Sequence, residues 1–217
     1  MPVLTIDGPS GALEAILDEP APRPGSGQAG QPRAAAVFAH PLPTHGGTMH
    51  TKVVYQGAKA LARIGCATLR FNFRGVGRSD GTFDEGRGES ADFRAALDHV
   101  AALYPGLPLW AAGFSFGSWV ALDVGAADPR VTLLLAIAPP LEGHGYDFSR
   151  IAASTKPKFF IQGERDEIAP LDAMYRFYAK LPEPKELVVI DAADHLFDGK
   201  TSEVGDAIED LLADFQT

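Results

Sequence analysis

The chain has 217 residues, 46% apolar and 22% charged, an ordinary composition for a globular protein and enough chain for one sizeable domain with a buried core. Acidic residues outnumber basic ones, 28 against 19, for a net charge of −9, which disfavours nucleic acid and anionic membrane as partners because both require a basic footprint. The single cysteine, Cys66, excludes an internal disulfide. With no signal-peptide pattern and no run of about 18 apolar residues, a cytoplasmic protein is expected.

Residues 3–6 and 12–17 read as two short strands joined by the turn Gly8-Pro9-Ser10-Gly11. Residues 19–33, rich in Pro, Gly and Gln, read as an exposed, mobile loop inside a single domain spanning 1–217. From residue 34 onward strands and helices alternate. Strands are predicted over 35–39, 67–73, 109–112, 131–138, 158–162 and 186–190. Helices are predicted over 52–64, 89–103, 118–126, 171–181 and 202–215. Alternation with continuously apolar strands indicates an α/β fold: a mostly parallel central sheet, helices on both faces, and the first two strands as an antiparallel N-terminal edge.

Between the strand at 109–112 and the following helix stands Gly113-Phe114-Ser115-Phe116-Gly117. Gly-x-Ser-x-Gly on a strand-to-helix turn is the pattern of a nucleophile elbow, whose glycines permit backbones to approach where a side chain would clash. Acyl transfer by a serine also needs an imidazole to take its proton and a third group to orient that imidazole. In a parallel sheet these groups come from loops at the carboxyl ends of strands, in the chain order Ser, acid, His. Only His144 and His195 follow Ser115, and His195 comes just after the strand at 186–190, so it is the predicted base. The acid is expected after the preceding strand, where Glu164, Asp166, Glu167 and Asp172 compete. Asp166, in the loop beyond Gly163, is preferred, and Asp194, beside His195, is the runner-up. For the oxyanion, one backbone donor is expected at Phe116 and a second at Leu42, since Pro41 and Pro43 on either side of it cannot donate.

Two patterns are set aside. His40, His45 and His50 recur every five residues, which is not a helical spacing, and prolines and glycines interrupt the segment, so loop histidines are preferred to a metal site. Gly75-Val76-Gly77-Arg78-Ser79-Asp80 lacks the third glycine of a dinucleotide fingerprint. No metal and no organic cofactor is expected. Cys66, in an apolar run, reads as a core residue.

Together His40-Pro41-Leu42-Pro43, Gly46-Gly47-Thr48-Met49, Lys52-Val53-Val54, Arg70-Phe71-Asn72-Phe73-Arg74-Gly75-Val76-Gly77-Arg78-Ser79, the elbow, Asp166 and His195 resemble the α/β-hydrolase superfamily. The resemblance is greatest to its small, lid-free bacterial serine esterases, related in design to dienelactone hydrolases, and it runs from about residue 35 to the end. One departure is Leu42, where this branch often carries a second His; a backbone donor survives that change. The connection at 139–157 spans only 19 residues, too few for a folded cap, so an open site suited to small or short-acyl esters is expected. The resemblance implies a carboxylic-ester hydrolase acting on a small-molecule ester through an acyl-enzyme on Ser115. A thioesterase, a peptidase or a lactone hydrolase would use the same three residues. Dienelactone-type lactonases often use cysteine at the elbow, however, which Ser115 replaces here. The reading from another class is a non-catalytic binding protein that keeps the fold. Residues Phe114, Phe116 and the segment 141–148 are candidates to shape the pocket.

Overall fold

The computed structural model describes residues 3–20 and 31–215, and within them eight strands form one sheet in the order β1-β2-β4-β3-β5-β6-β7-β8. The strands are β1 (Leu4–Gly8), β2 (Gly11–Asp18), β3 (Ala34–Ala39), β4 (Cys66–Phe71), β5 (Leu109–Phe114), β6 (Val131–Ile137), β7 (Lys158–Gly163) and β8 (Lys185–Ile190). β1 pairs antiparallel with β2, and β2 antiparallel with β4; every other pairing is parallel. The hairpin of the first two strands is thus the expected antiparallel edge.

Six helices, α1 (Lys52–Arg63), α2 (Arg87–Leu103), α3 (Phe116–Ala127), α4 (Ser149–Ala153), α5 (Leu171–Tyr178) and α6 (Thr201–Leu212), cover the sheet. The two-residue period of a strand divides their cores. In β3, Ala35, Val37 and Ala39 face a cluster with Phe93, Leu97, Val120, Ile151 and Met174 of α2 to α5. Ala34, Ala36 and Phe38 face the opposite cluster, with Val53 and Leu61 of α1 and Val204 and Ile208 of α6. Because both faces are covered, β3, β4, β5 and β7 are buried at every position, which is why β3 and β5 read as unbroken apolar runs and β4 and β7 as mainly apolar ones.

Element ends depart from the sequence reading in ways that have local causes. α5 stops at Tyr178, short of residue 181, just ahead of Pro182. α6 stops at Leu212, where the Arg33 guanidinium donates to the carbonyls of Leu212 (2.8 Å), Ala213 (2.6 Å) and Phe215 (2.6 Å). A cation at a helix C-terminus meets the negative end of the helix dipole. Arg33 was expected in an exposed, mobile loop, but it is half-buried, and Pro20 at the other end is buried. Both ends of that segment are therefore fixed, and its middle, 21–30, lies outside the described residues. The short helix α4 is absent from the sequence reading, five residues being too few to show a period. Cys66 is fully buried, as expected, and burial pushes its thiol up to about 12. No helix among the described residues is long and apolar enough to cross a membrane.

Candidate active site

β5 lies between β3 and β6 near the middle of the sheet, and its carboxyl end delivers Ser115. The chain turns there at φ 53° and ψ −124°, a left-handed conformation that costs a non-glycine residue about 1–3 kcal/mol. Neighbouring bonds hold it. The Ser115 N–H donates to the Ile137 carbonyl at the end of β6 (2.9 Å), and the Ser115 carbonyl accepts from the N–H (2.9 Å) and hydroxyl (2.6 Å) of Ser118. The two glycines of the motif have separate contacts. A Cβ on Gly113 would fall on the carbonyl of Gly117 in the first turn of α3. A Cβ on Gly117 would fall on the carbonyl of His40, just beyond β3. Gly113 lets strand meet helix, and Gly117 lets the helix start press against the β3 loop.

The loops after β7 and β8 are joined by backbone. Glu164 N–H donates to Ile190 O (3.0 Å) and Arg165 N–H to Ala193 O (2.8 Å), while Gly163 leaves room for the carbonyls of Ala193 and Asp194. This pairing sets Asp166 and His195 side by side. His195 Nδ1 is 2.8 Å from Asp166 Oδ2, and His195 Nε2 is 2.9 Å from Ser115 Oγ. A carboxylate only accepts, so Nδ1 carries the hydrogen and Nε2 is free to accept the serine proton. Ser115, His195 and Asp166 retain 8%, 8% and 5% of their surface, shielded but reachable at the serine. The Phe114 ring packs 5.3 Å from the imidazole, centroid to centroid. Asp166 Oδ1 accepts from Ile168 N–H (2.9 Å) and Ala169 N–H (2.7 Å), and its Oδ2 also accepts from Gln162 Nε2 (3.0 Å).

The other acids are engaged elsewhere. Glu164 accepts from Ala192 N–H, Asp172 pairs with Arg176, Asp194 accepts from Asp198 N–H, and Glu167 is exposed. Gln162 escaped the sequence reading because it sits inside an apolar strand and only the fold turns it toward Asp166.

The loop after β3 passes beside the start of α3. The backbone N–H groups of Leu42 and Phe116 find no hydrogen-bond acceptor among the described residues. His40 holds this loop. It is fully buried, its Nδ1 bonds the Pro41 carbonyl (2.6 Å), and its Nε2 accepts from Phe73 N–H (3.0 Å). Burial lowers its pKa to about 4, the hydrogen bond to Pro41 opposing, so the ring is neutral. His40 is thus a loop histidine, as the sequence suggested, but a buried one; His45 and His50 are exposed. Among the described residues no three His, Cys, Asp or Glu side chains gather as a metal site would require.

A cleft of about 410 Å³ opens next to this arrangement, lined in part by Leu42, Phe83, Glu85, Trp119, His144 and Tyr146. Phe116 joins the cleft to the serine: its ring packs edge-on or tilted against Phe73, Phe83, Trp119 and Tyr146. Of the 141–148 segment, His144, Gly145 and Tyr146 line the cleft; Phe116 is buried behind its aromatic lining, and Phe114 packs behind the imidazole. The connection 139–157 contains only α4, and no cap domain covers the serine.

Residues 31–156 match the family described as serine aminopeptidase, S33. An α/β serine hydrolase homologue from Coxiella burnetii superposes with a TM-score of 0.88 at 35% identity, covering 97% of each chain. A lid-free α/β serine hydrolase from Xanthomonas campestris superposes with a TM-score of 0.86 at 39% identity, covering 96% of this chain and 92% of that one. An uncharacterised protein of Rickettsia prowazekii is 37% identical across 100% of this chain and 91% of its own length.

Proposed function

Since the chain belongs to the serine aminopeptidase S33 family of hydrolases and to the lid-free branch of the α/β-hydrolase superfamily, we propose that it hydrolyses small or short-acyl carboxylic esters through an acyl-enzyme on Ser115. The observation that carries this reading is the unbroken hydrogen-bonded line from Ser115 Oγ through His195 to Asp166, at 2.9 and 2.8 Å. Ser115 Oγ attacks the ester carbonyl while His195 Nε2 takes its proton. The oxygen of the tetrahedral intermediate is held by the N–H groups of Leu42 and Phe116. His195 returns the proton to the leaving alcohol, the acyl-enzyme forms, and a water activated by the same imidazole releases the acid. Asp166 keeps Nδ1 protonated and stabilises the imidazolium that forms transiently. No step needs a metal or an organic cofactor.

The preference for short acyl groups is supported by the brief 139–157 connection and by a cleft of about 410 Å³, near the low end for small-molecule sites. A series of p-nitrophenyl esters of increasing acyl length, run beside a short-acyl thioester and an aminoacyl p-nitroanilide, tests the reading. The highest kcat/KM is expected for the acetate-to-butyrate esters. A maximum at long acyl chains, on the thioester or on the anilide would replace it with a lipase-like, thioesterase or peptidase activity respectively.

A further inference from the structure

The cleft beside Ser115 displays a carboxylate that ester hydrolysis does not use. Glu85 lines it with φ 53°, a left-handed backbone that glycine favours and glutamate rarely adopts. The fully buried carboxylate of Glu89 accepts from Asp84 N–H (2.9 Å) and Gly86 N–H (2.7 Å), the residues on either side of Glu85. Gly86, at φ 98°, lies against the indole of Trp119, where a Cβ would stand 2.6 Å from Cη2. Both flanks of Glu85 are thus fastened by the buried acid, and the Gly86 side is also packed against the indole.

Glu85 itself is exposed and forms no ion pair among the described residues; Arg87, two positions on, is committed to Asp84 at 3.0 Å. Among the described residues no Lys or Arg lines the cleft, and the whole chain carries −9. In the lining of the same cleft the rings of Trp119 and Tyr146 stack at 4.5 Å and 17°, and those of Tyr146 and His144 at 5.9 Å and 11°. Leu42 and Phe83 add apolar surface. An unneutralised carboxylate next to aromatic rings and apolar side chains is the chemistry that recognises an organic cation. The carboxylate supplies charge, the rings supply their quadrupole, and the apolar groups cover the alkyl body.

We propose that this cleft is a subsite for an alkylammonium group carried by the substrate. Its place beside Ser115 gives it meaning only under the hydrolase reading, but its binding chemistry can be measured apart from turnover. Choline and its neutral carbon isostere neohexanol are the probes, titrated against the intact chain with tryptophan fluorescence as readout, Trp119 lining the cleft and Trp110 lying buried in the core. Choline is expected to bind about fivefold more tightly, the combined size of an exposed cation–π contact and an exposed ion pair. Glu85→Gln should reduce the preference to about twofold, the share of the rings alone, and Glu85→Lys should make neohexanol the tighter ligand. Equal binding by the wild-type chain, or an undiminished choline preference of about fivefold in Glu85→Gln, overturns the proposal.

Butyrylcholine and neohexyl butyrate, assayed in parallel, should give kcat/KM values in the same ratio. If neither these esters nor the p-nitrophenyl series is turned over while choline still binds better, the hydrolytic reading fails and the cation site stands. If both are turned over equally and choline binds no better than neohexanol, the subsite fails and the hydrolytic reading stands.

Discussion

The left-handed turn at Ser115 and the buried imidazole of His40 are two residue-scale features that stability measurements can reach. His40 is neutral because its Nε2 is occupied as an acceptor by Phe73 N–H and because burial lowers its pKa to about 4. Unfolded, the same ring takes a proton at about 6.5. Below that pH the unfolded chain binds a proton that the folded chain refuses, so stability falls from pH 6.5 to about 4 and then levels; above pH 6.5 His40 makes no difference. The full effect is about 3 kcal/mol. Urea midpoints measured against pH should show it as a loss that His40→Gln does not share between pH 6.5 and 4. Parallel curves for the two proteins would mean that His40 is not the group responsible. The sequence makes Ser115, Asp166 and His195 stand out, because a five-residue motif and chain order are local or one-dimensional signals. It hides His40, Gln162 and Glu89, whose roles come from partners the fold supplies: His40 reaches Phe73, 33 residues on, and reads as a loop residue until that contact is seen.

At the scale of elements, the site depends on how closely β3, α3 and the two last loops approach one another. Gly117 is where the start of α3 meets the end of β3, with Ala39 and His40 backbone atoms against the position a Cβ would take. Backbone cannot yield as a flexible side chain can. Gly117→Ala should therefore force α3 away from the Leu42 loop, costing about 1–3 kcal/mol of stability as overpacking does. Ester turnover should fall by at least about 10²-fold, the effect of losing one oxyanion donor. Thermal unfolding and kcat on a p-nitrophenyl ester measure the two, and a variant with wild-type values in both would show that this approach is slack. The existence of the strands, and of every helix but the five-residue α4, was readable here from apolar runs and the helical period. Their ends were not, since the close of α6 is set by Arg33, about 180 positions earlier in the chain.

Across the whole molecule, one sheet carries Leu42, Ser115, Asp166 and His195 on the loops after β3, β5, β7 and β8, all at the carboxyl ends of parallel strands. Doubly covered parallel strands made that architecture legible, and the antiparallel hairpin at its edge was legible from Pro-Gly turn chemistry. The stacked wall of the cleft was not, because Trp119 and the 141–148 segment meet only when the chain is folded. Reading residues 1–217 as one domain predicts a single cooperative urea transition, with tryptophan fluorescence and far-ultraviolet circular dichroism coincident. Separated transitions would divide the chain into independent units. The central claim, that Ser115 is the nucleophile, is tested most directly by intact-mass analysis after exposure to a fluorophosphonate. The wild-type chain should gain one adduct on the peptide containing Ser115 and lose its esterase activity in step. Ser115→Ala should gain none and turn over esters about 10⁶-fold more slowly. A folded wild-type chain that stays unlabelled, or a Ser115→Ala chain that labels and hydrolyses as before, would contradict the account.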